Sequence, residues 1–264
     1  MKITIIIPLY KELPSTNELA SFKQCYDILG KYNIYVITHK ELNLSKYENA
    51  IGKTIKTCYF DKHYFTSINE YSNLMMSNSF YSVFRDYDYM LIYQTDAWVF
   101  QDKLEYWCLK NYDYIGAPWF NNKNINGINL KGVGNGGFSL RKISKFLYLT
   151  EPKTKLRNFT DILRDLKSIY DIPRCILHMF GYHNTIAYYS KINAGIAEDV
   201  YFCEYLSQFN QCKLSLPSEQ EACYFAFEQY PSWTFYNITH TLPFGCHAWE
   251  KNEKNFWINN GLPQ

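Results

Sequence analysis

The sequence predicts an α/β fold: a mostly parallel central sheet with helices on both faces, followed by an irregular C-terminal extension. Three observations predict it. Short β-branched and aromatic runs alternate with helical stretches along the N-terminal part of the chain. The connections between them are short, and the runs are continuously apolar, as strands buried on both faces are.

The first strand is Ile3 to Leu9 (ITIIIPL), ended by Pro8. Ser15-Thr-Asn-Glu18 has the form of a capping box, so a helix opens there and runs to about Gly30. Asn33 to Thr38 (NIYVIT) and Thr54 to Phe60 (TIKTCYF) are the next strands. Asn69 to Phe84 reads as a helix and Asp88 to Gln94 (DYMLIYQ) as another buried strand. Strand, helix and strand joined by short connections make a parallel sheet. Beyond Gln94 the pattern loosens. A helix is expected over Asp102 to Lys110, an extended stretch over Asp113 to Ile115, and a mobile Asn- and Gly-rich loop over Asn121 to Gly134. A short strand follows over Gly137 to Arg141 and a helix over Glu198 to Phe209, and from about Phe235 no periodicity is visible.

At 264 residues the chain fits one α/β core, so residues 1–264 are expected to form a single domain. Composition is near the globular average except for 19% aromatic residues, with 25 Tyr and 18 Phe. Such rings either fill a core or offer flat faces to sugars and bases. A net charge of +2 is too balanced for a protein whose main partner is a nucleic-acid backbone, so no nucleic-acid partner is expected. From Arg141 to Arg174, however, nine Lys or Arg face four Asp or Glu. That excess suits peripheral association with an anionic membrane surface, a phosphate-bearing acceptor, or merely a solvated helical face. The eight cysteines lack metal-site spacing and should be reduced and mostly buried. Met1 to Tyr10 is apolar for too few residues to be a signal peptide or membrane span. The expected location is therefore cytoplasmic, at the inner face of the membrane if the basic stretch docks there.

In open α/β sheets ligands bind beyond the carboxyl ends of the strands. Pro8-Leu-Tyr10 and Gln94-Thr95-Asp96 stand at two such ends. Asp96 either caps a turn or supports a diphosphate, directly or through a divalent cation. Gly132 to Phe138 (GVGNGGF) formally matches G-x-G-x-x-G, but it follows a loop and enters a strand, so it is not the dinucleotide fingerprint, and no G-K-[ST] of a P-loop is present. Its glycines require either positive φ or close backbone approach, and their number favours approach to a ligand around Asn135, Gly136 and Gly137. Glu198-Asp199 at a helix start either complement the helix dipole or supply a general base. His247, in LPFGCHAWE, is either structural or a metal ligand.

Taken in order, these segments resemble the glycosyltransferase-like proteins of bacterial surface-polysaccharide loci. The resemblance is carried by IIIPLYKE (Ile5 to Glu12), FYSVFRDYDYMLIYQTDAWVF (Phe80 to Phe100), DYIGAPW (Asp113 to Trp119), GNGGFSLRK (Gly134 to Lys142), EDVYF (Glu198 to Phe202) and PFGCHAW (Pro243 to Trp249), nearly the whole chain. It implies a GT-A-like, Rossmann-type fold, with residues up to about 120 as the nucleotide-binding half and those from about 121 as the acceptor-binding half. The chain is also distantly similar to the β-1,3-galactosyltransferase and Fringe group, whose strand ends T-D-D-D-x-[FY]. Here the run is Thr95-Asp96-Ala97-Trp98, so Trp98 stands where that group places a metal-binding Asp.

What the resemblance implies is transfer of a hexose from a nucleotide sugar, UDP-linked, to a hydroxyl of a glycan or lipid-linked glycan in lipopolysaccharide or capsule synthesis, with inversion. Asp199 is the implied base. Pro8, Tyr10, Gln94, Thr95, Asp96, Asn135, Gly136 and Gly137 are the implied donor contacts, under the loop from Asn121 to Gly134 as a lid. Asp96 and His247 are the implied holders of Mn²⁺ or Mg²⁺, unless positive side chains replace the cation. Trp119, Glu198 and Trp249 are candidates for the acceptor side. The rival expectations are a sugar nucleotidyltransferase, against which the absence of a glycine cluster after the first strand counts, and a non-catalytic glycan- or nucleotide-binding protein of the same fold.

Overall fold

The computed structural model describes residues 1–121, 127–164, 166–192 and 195–263. Its strands are β1 (Ile3–Pro8), β2 (Asn33–Thr38), β3 (Thr57–Tyr59), β4 (Tyr89–Tyr93), β5 (Ala97–Val99), β6 (Tyr114–Ile115), β7 (Pro118–Asn121), β8 (Asn129–Val133), β9 (Phe138–Lys142), β10 (Ala226–Phe227) and β11 (Gly245–His247). The main sheet has six strands in the order β3-β2-β1-β4-β9-β6. The first four are mutually parallel, and β9 runs antiparallel between β4 and β6. Chain order reverses beside β1, where β4 follows β3 in sequence but lies on the other side of β1. A crevice opens at such a switch point beyond the carboxyl ends of β1 and β4.

The continuous apolar runs are explained by burial on two faces. Ile5 and Ile7 of β1 join Phe22, Cys25 and Leu29 of the helix Thr16–Leu29 on one side, whereas Ile6 joins Phe80, Tyr81 and Phe84 on the other. Each large apolar side chain so buried contributes about 1.5–3 kcal/mol relative to exposure. The predicted capping box is present: the Ser15 hydroxyl accepts from the Glu18 amide and Glu18 Oε2 accepts from the Ser15 N–H at 2.7 Å.

Several expectations change. Asn69 to Phe84 is not one helix but two, Ile68–Met75 and Asn78–Val83, because Ser77 leaves the helical conformation and its hydroxyl caps the Phe80 amide. Within Asn121 to Gly134, residues 122–126 lie outside the described residues, and the flanks form the antiparallel pair β7–β8 rather than loop. The helix expected over Glu198 to Phe209 is one α-turn, Glu198–Val200, continued by a π-helical turn, Tyr201–Tyr205, and a 3₁₀ turn, Leu206–Gln208. The C-terminal part contains the helices Glu219–Phe225, Pro231–Thr234 and Lys254–Asn259, built on a third core cluster around Phe227, Cys246, Trp249 and Trp257. It returns to the N-terminal part through β11, which pairs antiparallel with β5, while β9 is inserted beside β4. The two ends of the chain therefore share sheets across residue 120.

All eight cysteines are free thiols, seven of them buried. Among the described residues no helix is long and apolar enough to cross a membrane.

Candidate active site

The crevice at the ends of β1 and β4 is a cavity of about 720 Å³, whose lining includes Pro8, Tyr10, Lys11, Gln94, Thr95 and Asp96 from the strand ends and His247 and Lys251 from the C-terminal part. That volume lies in the range of small-molecule sites, roughly 300–1,000 Å³. The opposite wall is the segment Tyr64 to Ile68 with Tyr71. Tyr10 is 55% exposed, so its ring face is open to a flat ligand, and Lys11 Nζ stands 5.4 Å from the ring centroid. The Tyr71 hydroxyl is shielded from solvent, and the Glu198 charge and the Gln94 amide both bear on it.

Strand pairing brings Asp96 and His247 together. His247 lies opposite Ala97 in the β11–β5 register, which sets its ring beside the residue before Ala97. His247 Nε2 is 3.1 Å from Asp96 Oδ1 and 3.2 Å from Gln94 Oε1, and Nδ1 is 3.1 Å from Glu228 Oε2. Lys251 Nζ completes the chain at 3.1 Å from Asp96 Oδ2. Burial works to lower the His247 pKa, but the bonds to Asp96 and Glu228 reverse this and push it up to about 10. Burial works likewise to raise Asp96, and the His247 and Lys251 charges instead hold its carboxyl well below the usual carboxylate range. Carboxylates at both ring nitrogens thus favour the imidazolium form of His247. A divalent cation at Asp96 and His247 would have to displace a ring proton from between these carboxylates. Among the described residues no group of three His, Cys, Asp or Glu is arranged to hold a metal ion.

The glycine turn joins this cleft to a second group of acids. Gln94 N–H donates to the Gly137 carbonyl at 2.8 Å, tying the turn to the end of β4. A Cβ on Gly137 would stand 2.0 Å from His247 Nε2, and one on Gly136 would stand 2.1 Å from Glu198 Oε1. A Cβ on Gly134 would meet the Trp119 indole at 1.8 Å. These glycines therefore answer to close approach, here that of side chains from other parts of the chain. None of Gly132, Gly134, Gly136 and Gly137 has positive φ, and the close neighbours are side chains of the protein itself. The residue that does adopt the left-handed region is Asn135, at φ 63°, which Asn tolerates, with its Nδ2 bonded to the Ala117 carbonyl at 3.1 Å.

Asp199 Oδ2 accepts from the Asn135 N–H at 2.8 Å and Oδ1 from the Val200 N–H at 2.9 Å. Burial raises its pKa, the neighbouring Glu198 raises it further, and the two backbone N–H bonds oppose them. A buried carboxylate with raised pKa is a stronger base than a solvated one. Glu198 is engaged by Arg141, whose Nη2 lies 2.9 Å from Oε1. Arg141 is fully buried, donates also to the Tyr81 hydroxyl at 3.0 Å and the Ser139 hydroxyl at 3.1 Å, and lies over the rings of Tyr114 and Phe146.

The expectations for Trp249, Glu198 and Arg141 fail for reasons of burial. Trp249 is fully buried in the C-terminal cluster, edge-on to Trp98, and has no face for a sugar. Glu198 is held under Arg141 rather than turned toward an acceptor, and Arg141 itself is core, not part of a basic surface. Trp119 is only partly buried but covers Gly132 and Gly134 with one side of its indole. Sequence reasoning missed Lys11, Tyr71, Glu228 and Lys251. Arg141 had a readable signal, a cation inside the apolar strand GFSLR, whereas Glu228 and Lys251 lie in stretches without periodicity.

The family model described as "Protein of unknown function (DUF5672)" matches residues 54–247. No curated protein matches the chain. Among solved structures it is similar to apo mouse xyloside xylosyltransferase 1, at 6% identity over 93% of this chain and 96% of that one, TM-score 0.45. It is similar also to a glycosyltransferase involved in the glycosylation of the major capsid of PBCV-1, at 11% identity over 94% and 92%, TM-score 0.42. The bifunctional glycosyltransferase WbbM is matched at 10% identity over 95% of this chain and 46% of that one, TM-score 0.44.

Proposed function

Given that the chain belongs to the DUF5672 family, whose description assigns no activity, we propose from the geometry of its site that it transfers a glycosyl group from a nucleotide sugar to a hydroxyl acceptor. The observation that carries this reading is the two-part site: a cleft at the strand ends lined by Lys11, His247 and Lys251, and a buried carboxylate of raised pKa just across Gly136-Gly137. The cleft suits a nucleoside diphosphate. Tyr10 offers a face to the base, and Lys251, exposed beside Asp96, offers an ammonium to the diphosphate together with Lys11.

In the proposed reaction the bond between the anomeric carbon and the diphosphate oxygen breaks, and its electron pair leaves with the nucleotide. The acceptor oxygen bonds the anomeric carbon from the opposite face, inverting it, and its proton passes to Asp199. Lys11 and Lys251 take the part that a divalent cation would otherwise play, so activity in excess EDTA is expected. UDP is the proposed nucleotide and a surface or lipid-linked glycan the proposed acceptor, with Trp119 the remaining indole on that side.

The test is Asp199→Asn beside Glu198→Gln, assayed for transfer and for nucleotide-sugar binding. Asp199→Asn should lose about 10²- to 10⁴-fold in turnover, the usual worth of a general base, with binding nearly intact. Glu198→Gln should lose mainly stability. If Asp199→Asn keeps most of its turnover, or if the folded Glu198→Gln protein is the inactive one, the base is misassigned.

A further inference from the structure

Three aromatic rings stand apart from the packed interior. Phe120 on β7, Tyr230 just past β10 and Trp233 in the helix Pro231–Thr234 are each only partly buried. None of them belongs to the three core clusters or lines the 720 Å³ cleft. They pack on one another instead. The Phe120 ring is 5.3 Å from that of Tyr230, at 72°, and 5.9 Å from that of Trp233, at 88°. An edge-to-face contact covers at most one face of one ring, so at least one face of the Trp233 indole lies outside its contact with Phe120.

Two features of the backbone present these rings. The register of β7 on β8 shifts between Trp119 and Phe120, the kind of irregularity that re-aims a side chain beside a site. Trp119 packs against the second core cluster, whereas Phe120 meets Tyr230 and Trp233. Tyr230 is held at φ 49°, a left-handed conformation that is uncommon for a bulky side chain. Such strain persists where the surrounding structure fixes it, and it gathers at ligand clamps.

The rings also bridge the two parts of the site. Glu228, which stands 3.1 Å from His247 Nδ1, precedes Tyr230 by two residues, at most about 7 Å of chain. Ala117, whose carbonyl holds the Asn135 side chain while the Asn135 N–H holds Asp199, precedes Phe120 by three residues, at most about 10 Å.

We propose that Trp233 and Tyr230, braced by Phe120, form a platform for a hexose ring of the acceptor, which stacks its apolar face on them and presents a hydroxyl to Asp199. The inference rests on the glycosyl-transfer reading above. A nucleobase is the poorer occupant, because Tyr10 already offers it a face inside the cleft and the platform lies outside that cleft.

Fluorine NMR of the full chain labelled with 5-fluorotryptophan tests it, since each of the six tryptophans is a probe and Trp233→Phe identifies the resonance of Trp233. The methyl glycosides of glucose, galactose and N-acetylglucosamine are titrated with and without UDP. At least one should shift the Trp233 resonance saturably and leave the buried Trp249 and Trp257 unmoved. Tyr230→Gly removes one ring and accepts φ 49° without a Cβ, so the fold is kept. It should weaken saccharide binding by about three- to tenfold, the worth of one aromatic partner, with UDP affinity unchanged. Phe120→Leu, which keeps the strand apolar, should weaken it as well by loosening the brace. An unmoved Trp233 with every saccharide, or full saccharide affinity in both variants, overturns the proposal. So does a Trp233 shift produced by uridine alone, for the platform would then belong to the nucleotide. Calorimetric titration with UDP separates this inference from the reading beneath it: no UDP binding refutes the nucleotide cleft, whereas UDP binding with an unmoved Trp233 refutes the platform alone.

Discussion

Arg141→Met removes the one strong partner of a buried carboxylate. Arg141 has no exposed side-chain surface and Glu198 has 7%, so neither charge is solvated. With the guanidinium gone, Glu198 keeps only the Ser72 hydroxyl, at 3.5 Å, and stands next in sequence to the buried Asp199. The Tyr81 and Ser139 hydroxyls lose a donor as well. Breaking one side of a buried pair typically costs about 3–5 kcal/mol. A domain of this size loses roughly 2–4 °C in Tm for each kcal/mol, so a fall of roughly 6–20 °C is expected. Glu198→Gln should cost less, because its amide oxygen still accepts from Arg141 and the Tyr114 and Phe146 rings still face the cation. The double variant Arg141→Met/Glu198→Gln should be clearly more stable than the sum of the two single losses, since it leaves no uncompensated charge. Calorimetry and urea unfolding at neutral pH measure all three. A loss below about 1 kcal/mol for Arg141→Met, or strict additivity in the double variant, would refute the view that this pair compensates the two adjacent acids.

Two further outcomes follow from the ion-pair chain. Gly137→Ala places a Cβ 2.0 Å from His247 Nε2, so the ring must move off Asp96; donor binding, measured by calorimetric titration with UDP, should fall at least several-fold, and unchanged affinity would dissociate the glycine from the site. The His247 pKa, about 10 against 6.5 for the free side chain, stabilises the fold fully below pH 6.5, and that stability is lost as pH rises through 10. Asp96, held below its usual 3.8, contributes in the opposite sense, losing its share as pH falls below that value. Tm should therefore decline between pH 6.5 and 10, and His247→Gln should flatten the decline; an unchanged slope would show that the ring is not held as a cation.

Features that depend on near neighbours in the chain are legible in the amino-acid sequence itself. The apolar run Ile3 to Leu9, the Ser15–Glu18 capping box and the strand Asp88 to Gln94 each have a local cause, in burial of both faces or in a cap reaching its own third residue. The place of the cleft is legible too, since the alternation of elements implies a parallel sheet whose strand ends carry Pro8, Tyr10 and Asp96. Long-range pairing has no local signature. His247 meets Asp96 only because β11 aligns with β5 across some 150 residues of chain, in a register that sets His247 against Ala97. Arg141 reaches Glu198 only because β9 is inserted beside β4, and the Cβ-free faces of Gly136 and Gly137 are filled by side chains that arrive from distant segments. Trp249 shows the same limit, since an indole followed by an acid near a His reads as a ligand platform until packing closes over it. Periodicity and caps report which residues turn inward, because those forces act within one element. Which inward-facing residues touch is decided by how the elements dock, and that only the tertiary structure contains.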